Sequence, residues 1–169
     1  ARGGPGGGGP GGGGGVHGGV HGDGGYYADD AEDDVLSRPT VVMRIASLDD
    51  DSFTRSIDAQ IFEHLRIEAV VRGETAEQIE TFPELVASLS PPPHVVIVDY
   101  RLDHPRLRSP FMLGTELLPR LRQLGYGGKL VIKSAYDSAA DVARFKAAGA
   151  DDTLLKGLSA DALGRELAR

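Results

Sequence analysis

From about residue 41 onward, short apolar runs alternate with stretches of helical spacing. The run Met43-Arg44-Ile45-Ala46-Ser47-Leu48 predicts a first strand over about 41–48. Over 52–65, Phe53, Ile57, Ile61, Phe62 and Leu65 recur near the period of an amphipathic helix. A second strand over 67–72 ends at Gly73, and a helix follows from Glu74 with Ala76 and Ile79 inward. Thr81-Phe82-Pro83-Glu84 has the spacing of a capping box with proline in the first turn. This helix should therefore break and restart, running to Leu89. Pro91-Pro92-Pro93 imposes an extended approach to a third strand, His94-Val95-Val96-Ile97-Val98-Asp99. A long polar loop over 100–112 contains Pro105 and Pro110. The next helix, over 113–124, carries Leu113, Leu117, Leu118 and Leu121 and stops at Gly125. Pro119 inside it removes a backbone donor and predicts a kink. A fourth strand is expected over 128–134, then a Ser138-capped helix over 139–148 with Val142 and Phe145 inward and Gly149 as its stop. A fifth strand over 152–155 and a Ser159-capped helix complete the pattern.

Five strands each followed by a helix imply a parallel sheet covered on both faces. Right-handed crossovers favour a flavodoxin-like, doubly wound α/β fold with strand order 2-1-3-4-5. In that order strands one and three are neighbours. Ligands of such sheets bind outside the carboxyl ends of the strands, and these ends are chemically equipped. Strand one runs into Asp49-Asp50-Asp51, strand three ends in Asp99, strand four runs into Ser134-Ala135, and strand five into Lys156. Adjacent carboxylates repel, so holding Asp49 and Asp50 beside Asp99 calls for a cation, and clustered hard oxygens suit Mg²⁺ (or Mn²⁺). A hydroxyl and an ammonium alongside suit a phosphoryl group.

Each residue also has a plainer reading. Asp is a preferred helix cap, which is the favoured role for Asp51 and an even alternative for Asp49 and Asp50. Asp99 could be a polar strand end, Lys156 a surface lysine and Ser134 a turn cap. Their joint occurrence on four strand ends favours the composite site. His64 and His94 lack partners at ligand spacing and read as packing residues.

Composition divides the chain. Residues 1–25 hold 16 of its 24 glycines and then give way to an acidic stretch over 23–34. Such a segment buries too little apolar surface to offset its ordering entropy. Residues 1–37 therefore read as a flexible, disordered linker and 38–169 as one domain. The net charge is −7, and the first 40 residues carry six acidic and two basic side chains. No basic stripe or aromatic platform suggests nucleic acid. The absence of cysteine fits a reducing compartment, and no apolar stretch approaches the ~20 residues of a membrane span. A cytoplasmic location follows as an expectation, as does origin as a piece of a longer protein.

The stretch from about 41 to 169 resembles the receiver domains of two-component response regulators and hybrid histidine kinases. The resemblance rests on Leu48-Asp49-Asp50-Asp51, Val95-Val96-Ile97-Val98-Asp99, Val131-Ile132-Lys133-Ser134-Ala135 and, most specifically, Ala147-Ala148-Gly149-Ala150-Asp151-Asp152-Thr153-Leu154-Leu155-Lys156. It implies phosphorelay signalling, with Asp99 as the phosphoacceptor. Asp49, Asp50, Asp99 and the Arg101 backbone carbonyl would hold Mg²⁺. Lys156, the Ser134 hydroxyl and the Ala135 backbone N–H would bond the phosphoryl group. The implied partners are a histidine kinase or a histidine phosphotransfer protein, with homodimerisation through the helix 4–strand 5–helix 5 face. The domain would catalyse its own phosphorylation without being a stand-alone enzyme.

Three features depart from the family. The loop after Asp99 is long and basic, with Arg101, His104, Arg106 and Arg108; it is either a solvated loop or a lid over the site. Thr153 stands where an aromatic switch residue is usual. Gly157 replaces the proline that normally follows the lysine, so a trans bond or a looser turn is expected there. These departures keep open a pseudo-receiver acting only as an interaction module. A haloacid-dehalogenase-like phosphatase built on Asp49-Asp50-Asp51 is a further alternative, though Phe53 stands where it needs a hydroxyl.

Overall fold

A computed structural model gives the arrangement of residues 42–109 and 111–168. The expected linker, 1–37, lies outside the described residues. The fold belongs to the unit Pro39–Arg169. Five strands, β1 (Arg44–Leu48), β2 (Glu68–Arg72), β3 (Val95–Asp99), β6 (Lys129–Ser134) and β7 (Asp152–Leu155), form one parallel sheet in the order β2-β1-β3-β6-β7. Two short strands, β4 (Arg101–Leu102) and β5 (Met112–Leu113), lie apart from it. Discounting these, the order is the expected 2-1-3-4-5.

Strand alternation sorts the core into two layers, because successive side chains point to opposite faces. Ala46, Leu48, Val96, Val98, Leu130 and Ile132 face one side. There they meet Ile79 of α2 (Ala76–Glu80), Phe82 and Val86 of α3 (Phe82–Ser88), Leu118 and Leu121 of α4 (Leu118–Gln123), and Phe145 of α5 (Ala139–Ala147). Ile45, Val95, Ile97, Val131 and Leu154 face the other, against Phe62 of α1 (Ser52–His64) and Leu163 and Leu167 of α6 (Ala160–Leu167). No helix among the described residues is long and apolar enough to cross a membrane.

Four local expectations change. Pro119 does not kink a helix: Gly114–Glu116 is a 3-10 turn, and α4 starts at Leu118 with the proline in its first turn. A first-turn amide has no intrahelical acceptor, so its loss there costs nothing. Thr81 marks the break between α2 and α3 as expected, but its hydroxyl donates to the Glu77 carbonyl at 2.7 Å instead of capping α3. The 100–112 segment is not simply a polar loop. β4 and β5 pair antiparallel within it, Leu102 is fully buried, and Leu107 and Met112 pack on the core. Finally, α1 buries Asp58 and Phe62, while Phe53 and Ile57 of its expected apolar face are exposed.

Candidate functional site

Three carboxylates meet where β1 and β3 end. One oxygen from each of Asp49, Asp50 and Asp99 lies within 4.8 Å of the others. Pairing of β1 with β3 brings the carboxyl ends of the two strands side by side. The turn after β1 is clamped by Arg55, whose guanidinium donates to the carbonyls of Asp49 (3.0 Å), Asp50 (2.7 Å) and Gly73 (3.2 Å). Asp49 is fully buried. Its Oδ1 accepts the Asp51 amide at 3.0 Å, whereas its Oδ2 has no hydrogen-bond partner. That oxygen lies 3.1 Å from Lys133 Nζ and 3.5 Å from Lys156 Nζ, close enough for ion pairing but not aligned as a hydrogen bond. Asp50 Oδ2 accepts the amide of Asp103, which ties the inserted loop to the acidic turn at 3.0 Å. Asp51 caps α1, accepting from the Thr54 amide and hydroxyl at 2.7 and 2.8 Å. Those bonds hold its carboxyl below the usual carboxylate range.

Asp99 is buried and bonded to Lys156 Nζ at 2.8 Å. Burial, followed by the charge of Asp49, pushes its pKa up to about 6, against the opposing pull of Lys156. Burial works against the charged form of Lys156, but the bond to Asp99 and the charges of Asp99 and Asp49 outweigh it and raise its pKa. Lys156 leaves β7 with its amide bonded to the Ser134 carbonyl at 2.8 Å, and Gly157 turns the chain with φ +83°. The Lys156–Gly157 peptide is not cis. Gly114 supports Asp99 from behind: a Cβ there would stand 2.0 Å from the Asp99 carbonyl oxygen. The Gly114 amide instead donates to the Tyr100 carbonyl at 2.8 Å, closing the β4–β5 hairpin against β3.

Asp99, Ser134, Ala135 and Lys156 line one pocket of about 240 Å³, together with Tyr100, Arg101, Asp103 and Tyr136. Ser134 is buried, and its Oγ accepts the Tyr136 amide at 3.0 Å. Arg101 lies over the Phe111 ring and bonds Asp103 at 2.9 Å, so the basic insert is braced internally. Every residue expected at the site from the strand ends is thus at this edge of the sheet. The acidic cluster fits a divalent cation: its buried Asp49 Oδ2 accepts no hydrogen bond, and three hard oxygens converge.

Several participants escaped the reading of the strand ends. Lys133 and Asp58 form a buried pair at 2.5 Å beneath Asp49. A lysine in the apolar run of strand four and an aspartate one turn before Phe62 were the available signals. Arg55 left no comparable mark, since its role depends on three carbonyls from two turns. Thr153 is not aromatic; the aromatic rings gather instead at Tyr100, with Tyr136 edge-on to it at 6.3 Å and Phe145 at 4.7 Å.

Comparison with known proteins decides the family. Residues 45–168 match the response regulator receiver domain family. The chain belongs to that family. Among solved structures, this receiver domain is similar to a CheY-like receiver domain protein from Methanospirillum hungatei (24% identity, TM-score 0.58, covering 75% of this chain and 91% of the other). It is also similar to the receiver domain of the Francisella response regulator 1452 (23%, 0.60, 75% and 93%). A third is the BeF3-activated receiver domain of RstA from Klebsiella pneumoniae (23%, 0.58, 74% and 95%). At these identities the likeness is one of fold. Comparison with curated proteins finds no match. Membership places the chain in phosphorelay signalling and makes kinases or phosphotransfer proteins its class of partner.

Proposed function

We propose that this receiver domain takes a phosphoryl group onto Asp99 from a phosphohistidine of a histidine kinase or histidine phosphotransfer protein. The observation that supports it best is a buried carboxylate with an ammonium at 2.8 Å, facing a pocket shared with Ser134 and Ala135. An Asp99 oxygen attacks phosphorus as the phosphorus–nitrogen bond breaks. The bonding pair leaves with the imidazole nitrogen, and the acyl phosphate remains on Asp99. Lys156 is placed to balance charge on a phosphoryl oxygen. The Ser134 hydroxyl and the Ala135 N–H serve as donors once the group is present. Asp49, Asp50, Asp99 and the Arg101 carbonyl would hold Mg²⁺, which when bound neutralises charge on the transferring group. Such chemistry belongs on the intracellular side of a membrane.

Incubation of the chain with Mg²⁺ and acetyl phosphate, followed by intact mass, tests the reading. One added phosphoryl group, lost in Asp99→Asn, is the expected result. No label, together with no response of the amide spectrum to beryllofluoride, would favour an interaction module independent of phosphorylation. Label on Asp49 with turnover of diverse phosphoesters would point instead to a hydrolase.

A further inference from the structure

Lys133 and Asp58 have no part in the chemistry above, yet they are among the few charged side chains in the core. Lys133 follows Val131 on the sheet face covered by α1 and α6, and it pairs in register with Asp99. Asp58 comes from α1, one turn before the buried Phe62. Their side chains are 8% and 12% exposed. They meet at 2.5 Å, with the Ser47 hydroxyl 3.5 Å from the same Asp58 oxygen. The lysine does not serve Asp58 alone. Its ammonium also stands 3.1 Å from Asp49 Oδ2, the oxygen that no hydrogen bond satisfies.

We propose that the Lys133–Asp58 pair is a built-in counter-charge that sets how tightly the Asp49–Asp50–Asp99 cluster takes Mg²⁺. This rests on the reading of that cluster as the Mg²⁺ site. The ammonium lowers the negative potential at Asp49, and Asp58 limits this by drawing the ammonium towards α1. A packing role alone predicts that loss of either partner merely destabilises the fold, since a buried charge is left unpaired. The counter-charge role predicts effects of opposite sign on metal affinity. Lys133→Met removes the cation beside Asp49 and should tighten Mg²⁺ binding by about tenfold. Asp58→Asn leaves Lys133 to Asp49 alone and should weaken it by about tenfold.

The test is calorimetric titration of the full chain with MgCl2, with circular dichroism to establish folding. Where a single variant does not fold, the double variant Lys133→Met with Asp58→Leu carries the test, because an apolar pair replaces a buried ion pair without leaving a lone charge. It should bind Mg²⁺ about two- to threefold more tightly than the wild type, since the charge it removes nearer to Asp49 is positive. Opposite shifts in the two single variants support the proposal. Affinities within twofold of a wild type that binds Mg²⁺, in the single variants and in the double, overturn it while leaving the phosphoacceptor reading intact. A folded wild type with no detectable Mg²⁺ binding overturns both.

Discussion

Replacing Asp99 by Asn should stabilise the metal-free fold at neutral pH, by an amount that grows with pH. Burial and the Asp49 charge raise the Asp99 pKa from 3.8 to about 6. A raised carboxyl pKa favours the protonated form in the fold. Its contribution is therefore fully present below the unfolded value of 3.8 and is lost as pH rises through about 6. The full loss, at about 1.4 kcal/mol per pKa unit, is about 3 kcal/mol at pH 7.5. Of this, about 1 kcal/mol is already lost at pH 4.5, so the window between the two pH values is worth about 2 kcal/mol. Asn cannot ionise and escapes the loss. Urea denaturation of both proteins in EDTA, from pH 4.5 to 7.5, should show the advantage of Asp99→Asn widening by about 2 kcal/mol and levelling off near pH 7. Excess Mg²⁺ should then stabilise the wild type more than the variant. A gap that is flat with pH, or a variant less stable than the wild type at pH 7.5, would refute the idea that Asp99 is held against its preferred protonation state.

Two other substitutions probe how the site is built. Gly114→Ala forces a Cβ to within 2.0 Å of the Asp99 carbonyl oxygen and 2.6 Å of Val98 Cγ1. It should cost about 1–3 kcal/mol in urea denaturation; wild-type stability would mean that the β4–β5 hairpin yields freely. Arg55→Ala removes the donor shared by the Asp49, Asp50 and Gly73 carbonyls. Mg²⁺ affinity should fall by about tenfold through loss of preorganisation, and Arg55→Lys should restore part of it, because all three bonds come from the single Nη1 and an ammonium carries three donors. Calorimetry showing unchanged affinity in Arg55→Ala would relieve Arg55 of that role.

The acidic turn shows how far strand-end reasoning carries. Asp49, Asp50, Asp99, Ser134 and Lys156 are found at one edge of the sheet, as their places at the ends of apolar runs foretold. Asp51 caps α1, the plainer of its two readings. The 100–112 insert was legible only as long and basic. Its Asp103 amide bonds Asp50 from 53 residues away, and no local pattern encodes that.

By itself the sequence determined the number, type and order of the main elements, and hence which residues stand at the carboxyl ends of the strands. Those properties follow from period, caps and breakers, which act over a few residues. Tertiary structure decided what surrounds the strand ends. Pro119 is harmless because a 3-10 turn delays the helix. Phe53 is exposed while Asp58, five residues on, is buried. Lys133 stands within an apolar run, and it is a buried cation whose partners, Asp58 and Asp49, lie 75 and 84 residues away. Burying a charge is tolerated only where an opposite charge meets it, and which charges meet depends on how α1 packs across the sheet.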